Sequence, residues 1–108
     1  MTKSADRPLL GEVEFLVLLA VLRLEEEAYA VPIRAVIEKD AGVNLSRGTI
    51  YVTLGRMEEK GYVTSRLEDA PPDAGGLPRR VYRPTGLGRR IHDAWTHAAR
   101  RFSPEFAR

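Results

Sequence analysis

Residues 46–63 read Ser-Arg-Gly-Thr-Ile-Tyr-Val-Thr-Leu-Gly-Arg-Met-Glu-Glu-Lys-Gly-Tyr-Val, and the fold class turns on how this stretch is punctuated. Ser46 is a helix N-cap residue and Gly61 a helix stop, which predicts a helix from Arg47 to about Lys60. At 100° per residue, Ile50, Leu54 and Met57 fall on one stripe that Gly61 continues, while Thr49, Thr53, Arg56 and Lys60 fall on another about 100° away. The first stripe suits a core and the second is a polar, basic face; Glu58 and Glu59 lie well around the helix from it. After Gly61 the period drops to two, with Val63, Ser65 and Leu67 alternating with Tyr62, Thr64 and Arg66, as in a strand.

Downstream, Asp69 to Pro78 supplies Pro71, Pro72, Gly75, Gly76 and Pro78, and Arg79 to Arg83 resumes as a second strand, so the pair is a hairpin with a long flexible tip. Thr85 then caps a last helix whose apolar stripe is Leu87, Ile91, Trp95, Ala98 and Phe102. Upstream, residues 43–45 form a short extended piece, preceded by a helix that Pro32 enters in its first turn and Gly42 closes. There Ile33, Val36, Ile37 and Ala41 share a side, Arg34, Glu38 and Lys39 face water, and Val31 belongs to the entry turn. Arg23 to Glu27 is a charged break, and Gly11 to Leu24 is apolar enough to be a central helix buried on most sides. The order helix, helix, short strand, helix, hairpin, helix predicts a mainly α chain with a small β-hairpin: a winged helix-turn-helix over 11–84, a C-terminal helix over 85–108 whose apolar stripe suits dimerisation, and a flexible arm over 1–10.

Composition narrows the function. The chain has 108 residues, 44% of them hydrophobic and 30% charged, with no cysteine. That is one small globular domain without a disulfide framework, thiolate nucleophile or Cys-based zinc site. No apolar run approaches the roughly 20 residues of a membrane-spanning helix, and Met1 to Leu10 does not resemble a secretory signal, so a cytosolic location is expected. His92 and His97, five apart on a helix, are badly placed to share a metal. No cofactor is implied. The carboxylates are scattered, Gly86-Leu87-Gly88 lacks the rest of a phosphate loop, and nothing brings Ser, His and Asp together, so an enzyme is not expected.

The net charge of +2 is unevenly distributed. Residues 1–45 carry 5 basic and 8 acidic side chains, residues 46–108 carry 12 and 7, and Arg79 to Arg90 holds five Arg and no acid. The basic half is where a polyanion would be met. In a winged helix-turn-helix the third helix enters the DNA major groove and the hairpin lies along the backbone. Thr49, Thr53, Arg56 and Lys60 supply groove-facing donors, the helix N-terminus with Ser46 and Thr49 suits a phosphate, and Arg79, Arg80 and Arg83 suit the backbone with Tyr82 as a hydroxyl donor. The alternatives are a solvated helix face and an Arg-rich hairpin edge that discourages strand pairing. A winged helix serving protein interaction is the rival function, and apolar rather than basic side chains on the third helix would favour it.

The run from Ser46 to Val63 resembles the PadR-like family of bacterial transcriptional regulators, whose pattern there is Ser-Arg-Gly-small-apolar-Tyr, a Leu, an apolar-Glu-x-x-Gly turn and the first wing strand. Tyr82-Arg83-Pro84-Thr85-Gly86-Leu87-Gly88-Arg89 is similar to the family's Tyr-Arg-Leu-Thr-x-x-Gly-Arg. Ala30 and Val31 stand where the family usually has Gly-Tyr, and Pro84 where Leu is usual, departures that change local packing or turn geometry rather than the DNA face. The resemblance implies a homodimeric repressor on a palindromic operator in double-stranded DNA, with the last helix pairing against the partner. It implies that Tyr51 contacts the DNA backbone, a position where packing is equally reasonable on physical grounds. The candidate DNA contacts are thus Ser46, Arg47, Thr49, Tyr51, Thr53, Arg56, Lys60, Arg79, Arg80, Tyr82 and Arg83, and the candidate interface is Leu87, Ile91, Trp95, Ala98 and Phe102. Some short members of the family bind flat aromatic molecules between paired tryptophans, so Trp95 either stacks on a small aromatic effector or only anchors the dimer.

Overall fold

In the computed structural model, which describes residues 10–69 and 75–102, the chain runs through α1 (Glu12–Leu24), a 3₁₀ turn (Glu25–Glu27), α2 (Ala30–Ala41), α3 (Arg47–Glu59), an antiparallel hairpin of β1 (Val63–Glu68) and β2 (Arg79–Pro84), and α4 (Gly86–Phe102). This is the mainly helical, winged architecture expected. Residues 1–9 of the expected arm, residues 70–74 of the hairpin tip and residues 103–108 lie outside the described part. Leu10, the last residue assigned to the arm, packs against the core.

The core forms where the amphipathic stripes of α1, α2 and α3 meet. Val17, Leu18 and Val21 of α1, Ile33 and Ile37 of α2, and Ile50, Leu54 and Met57 of α3 are buried together, with Val63, Tyr82 and Ile91 closing the sides. Helix α1 is less enclosed than expected. Leu19 is exposed, and Leu16 and Leu22 are only half-buried.

Several local expectations are corrected. Val31 lies inside α2, exposed, because Tyr29 is the N-cap; Pro32 is then the third helical residue, where its missing N–H has no intrahelical partner to lose. Ala41 is exposed rather than apolar-facing, and Gly42 closes the helix at φ +69°, its N–H donating to the Glu38 carbonyl at 3.1 Å. Residues 43–45, expected as a short extended piece, form no strand. Instead Arg34, expected to face water, donates from Nε to the Leu45 carbonyl at 2.6 Å and fixes the approach to α3. The backbone bond that ties the wing to the first half of the chain comes from Ala28, whose carbonyl accepts from the Tyr82 N–H at 2.8 Å.

The start of α4 is docked on the turn between α3 and β1. Thr85 Oγ1 donates to the Gly61 carbonyl at 2.5 Å and accepts from the Gly88 N–H at 3.0 Å, while the Thr85 N–H donates to the Tyr62 carbonyl at 3.0 Å. Gly88 passes so close that a Cβ there would lie 2.1 Å from the Tyr62 carbonyl oxygen. Gly88→Ala must therefore separate two backbones and should cost about 3 kcal/mol. Gly86→Ala, whose Cβ would meet only the flexible Arg90 side chain at 3.5 Å, should be near neutral. Denaturant midpoints of the two variants check the contrast.

Candidate nucleic-acid interface

Ser46 starts α3 as expected: its Oγ accepts from the Thr49 N–H at 3.1 Å and donates to Thr49 Oγ1 at 2.9 Å. The Ser46 carbonyl accepts from Ile50, so the N–H groups of the first turn that face outward are those of Arg47 and Gly48. With Ile50, Leu54 and Met57 fully buried, the outward line of the helix runs through Gly48, Val52, Gly55 and Glu59. Arg47 and Tyr51 flank that line on one side, and Thr49 and Arg56 on the other; all four are exposed.

Two residues of the expected polar stripe are not on this face. Thr53 is 7% exposed, because positions 50, 53, 54 and 57 are spaced i, i+3, i+4, i+7 and share the buried side. Lys60 is drawn back against α1, where its Nζ donates to Glu14 Oε2 at 2.7 Å and lies 5.9 Å from the Tyr62 ring centroid. Glu14 also accepts from the Gly11 N–H at 3.0 Å. Burial alone would push the Glu14 carboxyl up, but the bonds from Lys60 and Gly11 and the charges of Lys60 and Arg56 outweigh it and hold it below its ordinary value.

The hairpin divides its arginines between two faces. Register pairs Ser65 with Tyr82 and Leu67 with Arg80, and the Ser65 hydroxyl donates to Glu58 Oε2 at 2.8 Å, so this face adjoins α3. Exposed Arg80 extends the contact, its Nη1 donating to Ser65 Oγ at 3.1 Å. Tyr82 is 4% exposed and belongs to the core; burial, with the nearby Glu58 carboxylate, raises its hydroxyl's pKa. Arg79 and Arg83 lie on the opposite face. The Arg79 guanidinium stacks 4.2 Å from the Tyr29 ring centroid, with its Nε buried and without a hydrogen-bond partner among the described residues. Arg83 lines a groove with Glu25, Glu26 and Arg89. The structure thus gathers Ser46, Arg47, Thr49, Tyr51, Arg56 and Arg80 and disperses Thr53, Lys60, Arg79, Tyr82 and Arg83. Val52, 55% exposed at the centre of the face, was missed, although it stands opposite the Ile50–Leu54 stripe.

The expected interface helix also divides. Ile91 is in the chain's own core, and Leu87 packs against that core beside Gly61. Beyond them α4 leaves the body, with Ala98 exposed, Trp95 38% exposed and Phe102 94% exposed. A groove lined by Leu16, Leu19, Leu22, Val36 and Ile37, with Arg89 and His92, lies between α1, α2 and the start of α4. His92 Nδ1 is 3.0 Å from Asp93 Oδ1. Among the described residues, no cluster could hold a metal ion and no helix is long and apolar enough to cross a membrane.

Known proteins share this arrangement. The family described as "Transcriptional regulator PadR-like family" matches residues 18–94. A PadR-like transcriptional regulator from Bacillus cereus superposes with a TM-score of 0.71 at 22% identity, covering 86% of this chain and 85% of that one. A PadR family transcription regulator from Clostridium difficile gives 0.64 at 25% identity over 84% and 92%. PadR of Bacillus subtilis, solved in complex with operator DNA, gives 0.63 at 17% identity over 77% of this chain and 45% of that one. No curated protein matches the chain by sequence.

The Glu14–Lys60 pair makes stability depend on pH in a definite direction. A carboxyl whose folded pKa lies below its unfolded value, ordinarily 4.5, stabilises the fold above that value and loses the contribution as pH falls through the lowered one. Glu14→Gln should therefore cost about 1 kcal/mol at pH 7 and markedly less at pH 3. Denaturant titrations at the two pH values test this, and equal costs at both would contradict it.

Proposed function

Because the chain belongs to the PadR-like family of transcriptional regulators, we propose that it is a homodimeric DNA-binding repressor acting in the cytosol on a palindromic operator. One observation carries the reading. The exposed face of α3 is edged by Arg47 and Arg56 and continued by Arg80 of the wing, while the same chain leaves Trp95 and Phe102 uncovered on a projecting helix. Cations beside a protruding helix suit a grooved polyanion, and an uncovered apolar helix suits a second copy. The B. subtilis relative, bound to operator DNA, supports the same use of the fold.

On this reading Ser46, Arg47, Thr49, Tyr51 and Arg56 enter the major groove or its edges, Arg80 meets the backbone, and α4 of each copy packs into the apolar groove of the other. Trp95, Ala98 and Phe102 form the interface. Thr53, Lys60 and Tyr82 act from behind the surface, and Arg79 and Arg83 stand outside the α3 side. Trp95 anchors the dimer; its exposure also favours a flat aromatic effector stacked on the indole. As the chain has one tryptophan, quenching of its fluorescence by planar aromatic compounds separates the two roles.

Two outcomes are expected. A footprint should be two-fold symmetric, with half-site centres about 34 Å apart or a multiple of that. Arg80→Ala should weaken binding to every sequence and lower the salt slope by about 0.9, whereas Trp95→Ala with Phe102→Ala should give a folded monomer by sedimentation. A protein-interaction module would give neither footprint nor salt-dependent DNA binding.

A further inference from the structure

Around Val52 the centre of the α3 face is apolar, with Arg47 and Arg56 at its sides and Glu59 at its C-terminal end. Val52 is 55% exposed there, and the positions before and after it on the outward line are Gly48 and Gly55. All three weaken an exposed helix, glycine through backbone entropy and valine through its branched Cβ. Nothing inside the fold asks for the glycines: a Cβ at Gly55 would meet no atom within 4 Å, and one at Gly48 only Ser46 Oγ at 3.9 Å. Val52, 55% exposed, likewise gains little burial in return for its low helix propensity.

A partner that approaches this line closely explains all three. Every base presents polar atoms on the floor of the major groove, and thymine alone adds a 5-methyl group beside its O4 acceptor. Against guanine or cytosine, valine would strip water from donors or acceptors without replacing it. Against thymine it would bury a methyl group, and the exposed flanking pairs Arg47 with Tyr51 and Thr49 with Arg56 would then face the two walls of the groove. We infer that Val52 is a specificity-determining residue that reads the methyl group of one thymine in each operator half-site, and that Gly55 admits the helix backbone to that depth. The inference rests on the DNA-binding reading above and adds to it the identity of a base and the residue that selects it.

The test starts from operators selected out of random duplex DNA by the full chain. Thymines in each half-site are then replaced singly by deoxyuridine, which lacks only the methyl group. One position should weaken binding about fourfold in each half-site, the equivalent of one buried carbon. That sensitivity should vanish in Val52→Ala, and Val52→Ala on the thymine operator should match the natural chain on the deoxyuridine operator. Gly55→Ala should melt at the same or a higher temperature yet bind roughly tenfold more weakly, because its new methyl group is harmless in the free protein and intrudes in the complex. Deoxyuridine without effect, an effect that persists in Val52→Ala, or full affinity in Gly55→Ala would overturn the inference while leaving DNA binding intact. Recovery of no operator at all would overturn both.

Discussion

The joint between Gly88 and the Tyr62 carbonyl is the constraint on which the remaining geometry depends. The projecting helix α4 begins beside the turn that ends α3, with no side chain between the two backbones. Thr85 locks the same place by capping α4 while holding the carbonyls of Gly61 and Tyr62. Two segments in backbone contact and joined by two hydrogen bonds have little freedom to rock. The direction of α3 is therefore set by that of α4.

The polar contacts that surround α3 act on its ends. Arg34 holds the Leu45 carbonyl just before the helix, Ser46 caps its first turn, and Lys60 ties its end to Glu14 at the opposite side of the core. Glu58 reaches through Ser65 to Arg80 and sets the wing against the helix. Each contact fixes position without covering the outward line from Gly48 to Glu59. A solvated helix would need none of this support, whereas a helix that must be presented at a fixed depth and angle benefits from all of it.

Local features were legible in the sequence because their causes are local. The Ser46 cap, the Gly42 stop, the core stripe of Ile50, Leu54 and Met57, and the period-two run after Gly61 depend on neighbours a few residues away. The site was less legible because its residues answer to distant partners. Lys60 is claimed by a carboxylate 46 residues earlier, and Arg79 by Tyr29, neither of which a count of charge along the chain reveals. The arginine-rich run from 79 to 90 is accordingly spread over two faces of the hairpin and the start of α4. Thr53 differs: its polarity assigned it to the basic face, although its spacing from Ile50 and Met57 places it on the buried side. The α4 stripe read as one surface because a helical wheel does not show where a helix leaves the body; Ile91 falls before that point and Trp95 at it.

On the proposed reading, the α3–α4 joint, doubled by dimerisation, holds two α3 helices at a spacing set by DNA. With no native cysteine, a single Glu12→Cys substitution places one spin label on each copy at the exposed start of α1, away from the α3 face. Pulsed electron–electron distance measurement on the operator-bound protein should give one narrow peak. A broad distribution, or no dipolar coupling between copies, would contradict the account.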